Sequence, residues 1–447
     1  MFDRRDFLLT AAAAAGTLAL PCAARAALQA RDDRAYGSPA GTRPFGPDVY
    51  RDRRQRLMAQ MKGGVAVIYG ASRLDTSSPV AGIGRQLSDF AYLTGIVDEP
   101  GAALVLAPAE RSFKEYFFLP SRDVENERWE GERLALSEEL RARTGFNKVL
   151  RSSGLGSTVT GIVSRARTLH YLGPLVGPDS PTPRELDLYG RISARVPGTS
   201  ITNQSGLIAA MRVVKEAREL ALIRKAIAAT ERGMRAAMAS ARPGMTERQL
   251  ADIIEREFRA AGAQGLAFPS IVGVGRSSAV LHYTGRDGVI RAGDMILCDV
   301  GAEVDYYASD ITRTFPVDGS FTPEQRGIYE TVLAAQNAAA AQLRPGAIYE
   351  DLNETAREVI RRTGHLDDFV HGLGHFVGLD VHDAGDYAKP LPVGAVITLE
   401  PGIYQPQRGF GVRIEDDYLV THGGNEKLSR AIPSRVTDVE AAVRAGR

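Results

Sequence analysis

The tripeptide Arg-Pro-Gly occurs twice in the second half of the chain, at 242–244 and 344–346, and each copy opens the same order of events. Each follows a long helical pattern, roughly 215–240 and 323–342, and leads into an amphipathic one. The two amphipathic stretches are MTERQLADIIEREFRAAG and AIYEDLNETAREVIRRTG. Thr246 with Gln249 makes a capping box for the first, and Gly262 and Gly364 stand where helix C-caps are expected. A glycine-rich segment with histidine comes next in both: FPSIVGVGRSSAVLHYTG and FVHGLGHFVGLDVHD. Then comes a strand holding one acid, Asp299 in MILCDVGA and Glu400 in AVITLEPG. Asp299 lies 57 residues after Arg242, and Glu400 lies 56 after Arg344. A chance tripeptide match would not share this order of elements. The pattern predicts a duplicated unit with pseudo-twofold symmetry and a site where its copies face each other.

The remaining chain needs a second domain, since 447 residues exceed the roughly 100–200 of one. After a helix over Tyr50–Met61, the runs VAVIYG (65–70), FAYLTGI (90–96), AALVLAP (102–108), EYFFLP (115–120) and TLHYLG (168–173) read as strands. SEELRARTG (137–145), with Ser137 as cap, and PRELDLYGRISARV (183–196) read as helices. This alternation predicts a mixed α/β domain over residues 48–205, followed by the duplicated domain over 206–447. Residues 27–47 read as a linker. Residues 1–26 read as a signal peptide, with RRDFL resembling a twin-arginine export motif, an apolar run too short for the about 20 residues of a span, and Ala24-Arg25-Ala26 as cleavage signal. Lipidation at Cys22 is the alternative there. Cleavage places the protein in the periplasm, free of the membrane, and leaves Cys298 without an intrachain disulfide partner. Lys+Arg (55) and Asp+Glu (54) nearly balance, which gives no reason to expect nucleic acid as a partner.

Four acids sit in apolar runs: Asp299, Asp310 in YASDITRTF, Glu400, and Glu415 in GVRIEDDYLV. A carboxylate among Ile, Leu and Val is costly unless paired or metal-bound. Three of the seven histidines fall within thirteen residues, His371, His375 and His382. Two pairs of acids beside clustered histidines point to a metal centre. Four carboxylates and a neutral imidazole balance two dications, which together can flank a scissile carbonyl. Oxygen-rich ligands with one nitrogen favour Mn(II), ahead of Zn, Co or Fe.

From about Asp48 onward the chain resembles aminopeptidase P, the Xaa-Pro aminopeptidase of the "pita-bread" metallopeptidases. The motifs that carry the resemblance are LHYTG, GDMILCDVGAEVDYYASDITRTFPV, HGLGHFVGLDVHD, ITLEPGIY and GVRIEDD, with YRDRRQRLMAQM and RQLSDFAYLTGIVDEPGAALVL in the first domain. The resemblance implies a mixed α/β N-terminal domain and a duplicated pita-bread catalytic domain. It implies five metal ligands: Asp299 on one metal, His375 and Glu400 on the other, Asp310 and Glu415 bridging. It makes Glu400 the proton acceptor from the attacking water, His282, His371 and His382 substrate-facing groups, and Arg413 a support for ligand geometry. Trp129 resembles an aromatic lent to a neighbouring subunit's pocket, which implies a homo-oligomer, dimer or tetramer. The implied substrates are peptides with proline second. A prolidase acting on Xaa-Pro dipeptides, and a metal-free creatinase-like hydrolase or binding protein, are the alternatives. Gly374 and Phe376 depart from the Ser and Trp frequent in related enzymes, and the segments between Thr363 and His371 and between Tyr404 and Arg413 are short. These departures bear on substrate preference.

Overall fold

The computed structural model describes residues 43–72, 85–130 and 135–447. The expected signal peptide, with Cys22, and most of the expected linker lie outside the described residues.

Six short runs form β1 (Val65–Tyr69), β2 (Ala103–Leu106), β3 (Glu115–Leu119), β4 (Val149–Arg151), β5 (Thr168–Tyr171) and β6 (Ser200–Asn203). They make one mixed sheet in the order β4-β3-β2-β1-β5-β6. Side chains alternate faces along a strand. Val65 and Val67 therefore pack with the helices Leu155–Ala166 and Arg184–Ser193, while Ala66 and Ile68 join the core under helix Pro47–Met61. That second core runs on without a break into the interior of the duplicated domain.

The run FAYLTGI, expected as a strand, is instead the helix Ser88–Thr94. Phe90 to Thr94 are all buried, so no polar face marks the period, and a short buried helix cannot then be told from a strand. The helix Leu155–Ala166 also escapes the sequence pattern, because Gly156 and Gly161 dilute its helical signal. The first helix begins at Pro47 rather than Tyr50, using a proline in its first turn.

The duplication is visible in the second half. Helices Ala217–Ser240 and Glu247–Ala260 are matched by Pro323–Gln342 and Tyr349–Arg362. The first copy contributes β7 (Gly265–Leu266), β8 (Ile271–Val274), β9 (Met295–Val300), β10 (Ala302–Val304), β11 (Tyr307–Ala308) and β12 (Ile311–Pro316). The second contributes β13 (Val396–Leu399), β14 (Gly402–Gln405), β15 (Phe410–Arg413), β16 (Asp416–Thr421) and β17 (Gly424–Lys427). In the first, β9 lies antiparallel between β8 and β12. In the second, β13 lies between β16 and a single bridge from Phe376 to Ile397, where Val274 pairs with Ile296 in the first.

Buried polar side chains stitch the copies together. The Arg313 guanidinium of β12 is fully buried and donates to Glu415 O and the Asp416 carboxylate, both at 2.6 Å, and to Pro433 O and Ile432 O. Within the second copy, the Gln336 amide braces the same region by donating to Leu399 O, Ile414 O and Asp416 Oδ2 at 2.9–3.1 Å. Burial works to raise the Asp416 carboxyl, yet the Arg313 and Lys427 charges hold it below its ordinary range. Arg313→Met leaves that carboxylate with Lys427 as its one cation among the described residues and strands several carbonyls. We expect a loss of about 3–5 kcal/mol in urea denaturation; a loss under about 1 kcal/mol would contradict the stitching role.

Candidate metal centre

Each acid of interest sits at a strand end or within a strand that faces the join between the copies. Asp299 lies in β9, paired across the sheet with Thr312 of β12. Asp310 immediately precedes β12, Glu400 follows β13, and Glu415 lies in the short link from β15 to β16. His375 arrives on a loop laddered onto the end of β13. Its N–H donates to Thr398 Oγ1 at 3.0 Å, Thr398 N–H donates to His375 O at 2.8 Å, and Glu400 N–H donates to Leu373 O at 2.7 Å. A Cβ on Gly374 would stand 2.3 Å from Thr398 O, so this approach requires glycine.

The result is a tight group. One ligand atom each from Asp310, His375 and Glu415 lie within 4.8 Å of one another. His375 Nε2 is 3.3 Å from Asp310 Oδ2 and 3.5 Å from Glu400 Oε1. His375 Nδ1 contacts Phe376 O at 3.1 Å. A carbonyl only accepts, so in the neutral ring Nδ1 carries the proton and Nε2 turns a lone pair toward the two carboxylates. Lone pairs facing each other at that range call for a cation between them.

The oxygen atoms agree. Asp299 Oδ1, Asp310 Oδ1 and Glu415 Oε1 are buried and have no hydrogen-bond partner among the described residues. Buried polar atoms are normally satisfied, and these three are the atoms a cation would take up. Without one, burial and then the neighbouring Asp299 charge push Asp310 well above the carboxylate range. Burial and then Asp310 do the same to Glu415. Burial pushes Glu400 up to about 7, against the pull of His375 and Arg413. The residues present therefore fit divalent metal ions, held by Asp310, His375 and Glu415 with Asp299 and Glu400 flanking.

A hydrogen-bonded chain leads away from Asp299. Arg413 Nη2 donates to Asp299 Oδ2 at 2.6 Å, its Nε to Thr312 Oγ1 at 3.1 Å, and its Nη1 to the Tyr404 hydroxyl at 2.9 Å. Thr312 Oγ1 in turn donates to Glu415 Oε2 at 2.7 Å. One guanidinium thus braces two carboxylates, one directly and one through a threonine. The chain ends at His371, whose Nδ1 meets Gly372 O and whose Nε2 meets the Tyr404 hydroxyl, both at 2.8 Å. Both its ring nitrogens are engaged, and burial together with the Arg413 charge lowers it to about 4, so it stays neutral.

His382 is exposed, and its ring lies 3.9 Å from that of His375. The cause is local: Asp383 N–H donates to Phe376 O at 2.8 Å, closing the loop so that the two preceding histidines emerge side by side. Burial and the His375 charge lower His382. His282 is also exposed, and its charge reaches both His371 and His382. Trp129 stands apart, 89 % exposed on the N-terminal-domain helix Val124–Glu130. Sequence reasoning missed Tyr404, Thr312 and Thr398. Each lies two to four residues from an acid already singled out, and that proximity is the only signal they carry.

The comparisons with known proteins divide the chain the same way. Residues 221–422 match metallopeptidase family M24, and residues 50–170 match the aminopeptidase P N-terminal domain. The chain is 34 % identical to an Xaa-Pro aminopeptidase of Escherichia coli over 434 residues, covering 89 % of this chain and 98 % of that one. An Xaa-Pro dipeptidase of Pyrococcus furiosus is 40 % identical over 224 residues, 49 % of this chain and 64 % of that one. Among solved structures, Pseudomonas aeruginosa aminopeptidase PepP superposes with a TM-score of 0.80 at 34 % identity, covering 90 % of this chain and 99 % of that one. A zinc-substituted E. coli aminopeptidase P in complex with product gives 0.80 at 31 % identity over the same shares. The chain belongs to the M24 metallopeptidases, in the aminopeptidase P family.

The electrostatics carry a signed prediction. Glu400, raised from 4.5 to about 7, stabilises the metal-free fold below pH 4.5 and ceases to do so as pH rises through about 7. Divalent metal replaces those protons. The gap in Tm between metal-loaded and metal-free protein should therefore widen from pH 5.5 to pH 8. A gap that narrows over that range in differential scanning fluorimetry would overturn this account of the cluster.

Proposed function

We infer that this chain is a metal-dependent exopeptidase that releases the N-terminal residue from peptides with proline in second position. The observation that carries it is the set of orphaned carboxylate oxygens around His375, within a chain whose N-terminal domain also matches aminopeptidase P. The dipeptidase likeness covers only 49 % of this chain.

Two divalent ions, when bound, polarise the scissile carbonyl and lower the pKa of the attacking water. Mn(II) is our choice of metal, because four carboxylates and one imidazole form an oxygen-rich set. Asp310, His375 and Glu415 would hold the ions, together with Asp299 and Glu400 beside them. Glu400 accepts the proton of the attacking water and passes it to the leaving proline nitrogen. That nitrogen belongs to a tertiary amide with no hydrogen of its own, so the proton must be delivered to it. His382, exposed beside His375, donates to the oxyanion, and His282 orients the peptide. His371 works through Tyr404, holding Arg413 against Asp299. Trp129, solvent-facing in a single copy, reaches the site of a neighbouring subunit in a homo-oligomer.

The test is release of the first residue from an X-Pro-Y peptide, stimulated by Mn(II) and abolished by a chelator. Full activity after chelation would sink the reading, and cleavage restricted to X-Pro dipeptides would reassign it to prolidase. Three variants divide the site. His375→Ala should lower metal occupancy, His382→Ala should lower kcat about 10²–10⁴-fold with metal retained, and Trp129→Ala should raise KM. Equal metal loss in the two histidine variants would contradict their separate roles.

A further inference from the structure

Two residues that fill the same place in the duplicated unit have no part in the account so far. Glu247 lies five positions after Arg242, and Tyr349 five after Arg344. Each opens the second helix of its copy, and each is buried. The backbone around them is held alike in both copies. Gly244 N–H donates to Ile290 O, and Gly346 N–H to Leu391 O, both at 2.9 Å. The return bonds run from Ile290 N–H to Met245 O at 2.8 Å and from Leu391 N–H to Ala347 O at 2.9 Å.

In the first copy the Glu247 carboxylate accepts two backbone N–H groups. Oε1 takes Val274 at 2.9 Å and Oε2 takes Gly288 at 2.8 Å. Val274 and Gly288 are the two ends of the loop that carries His282, so one carboxylate closes the mouth of that loop. The fit is close: a Cβ on Gly288 would stand 2.7 Å from the Glu247 carboxyl carbon. In the second copy the Tyr349 hydroxyl bonds both Gly374 O and Gly374 N–H at 2.5 Å, immediately before His375. Its ring meets Tyr387 edge-on at 4.9 Å, beyond His382. The same position again closes a loop, here the one that carries His375 and His382.

We propose that Glu247 and Tyr349 are equivalent positioning residues, each setting the histidines of its own copy by gripping both ends of the loop that bears them. The chemistry of each suits its task. A carboxylate is acceptor-only and can serve two N–H groups, whereas a hydroxyl can donate to a carbonyl and accept from an N–H at once. The consequences divide. The Glu247 loop holds His282, which our reading places outside the ligand set. The Tyr349 loop holds His375, which our reading places inside it.

The inference rests on the metallopeptidase reading, and the experiment separates the two. Mn(II) is titrated calorimetrically into metal-free wild type, Glu247→Gln and Tyr349→Phe, and X-Pro-Y kinetics are measured at saturating metal. Glu247→Gln should bind Mn(II) as wild type does and lose about tenfold or more in kcat/KM. Tyr349→Phe should bind Mn(II) about tenfold more weakly, with activity that climbs as metal is added. Gly288→Ala, which presses a methyl against the Glu247 carboxylate, should reproduce the kinetic loss and carries that arm if Glu247→Gln fails to fold. Tyr387→Ala does the same for Tyr349→Phe. Unchanged Mn(II) affinity in the Tyr349 or Tyr387 variant, or unchanged kcat/KM in the Glu247 or Gly288 variant, overturns the proposal. Wild type that binds no divalent ion overturns the metallopeptidase reading instead.

Discussion

Mutual repulsion among buried carboxylates is the constraint on which this molecule depends. Asp299, Asp310, Glu400 and Glu415 converge where the apolar cores of two repeated units meet, and water is too scarce there to screen them. Left alone, such a group takes up protons or pushes its strands apart. Among the described residues, Arg413 is the one guanidinium in contact with Asp299, and its single charge cannot balance four. The fold therefore holds a deficit of positive charge at its centre, in a shape that dications can fill.

The surrounding structure resists that repulsion from behind. Arg313 of the first copy holds the backbone of Glu415 in the second, and Gln336 holds Leu399 O, next to Glu400, from within the second copy. Thr312 ties Glu415 to the strand that follows Asp310. These are hydrogen bonds between buried groups with few alternative geometries, and they hold the carboxylates together against their repulsion. That is preorganisation, and it costs stability in the metal-free protein.

What could be read from the residues, and what could not, follows from the range of each interaction. The repeat was legible because Arg-Pro-Gly, the amphipathic helix and the acid recur in the same order at spacings that differ by one residue. Acids inside Ile, Leu and Val runs stand out because their burial is costly. The helix Ser88–Thr94 reads as a strand because burial on every side erases its period. Tyr404 was invisible, since its role exists only through Arg413 and His371, which the chain brings to it from nine and thirty-three residues away. Glu247 was hidden too: as an acid in the first turn of a helix, it has a sufficient local explanation in the helix dipole.

The two copies share a scaffold but differ in what they place on it. One offers two aspartates, and the other offers two glutamates and an imidazole. A twofold cavity with identical halves could not tell one end of a peptide from the other. Here the longer glutamate arms and the single nitrogen donor make the halves unequal, so the two sides of the cavity differ in charge and reach. A peptide has a direction, from amine to carboxyl. Divergence between the copies turns a symmetric frame into one with a direction of its own.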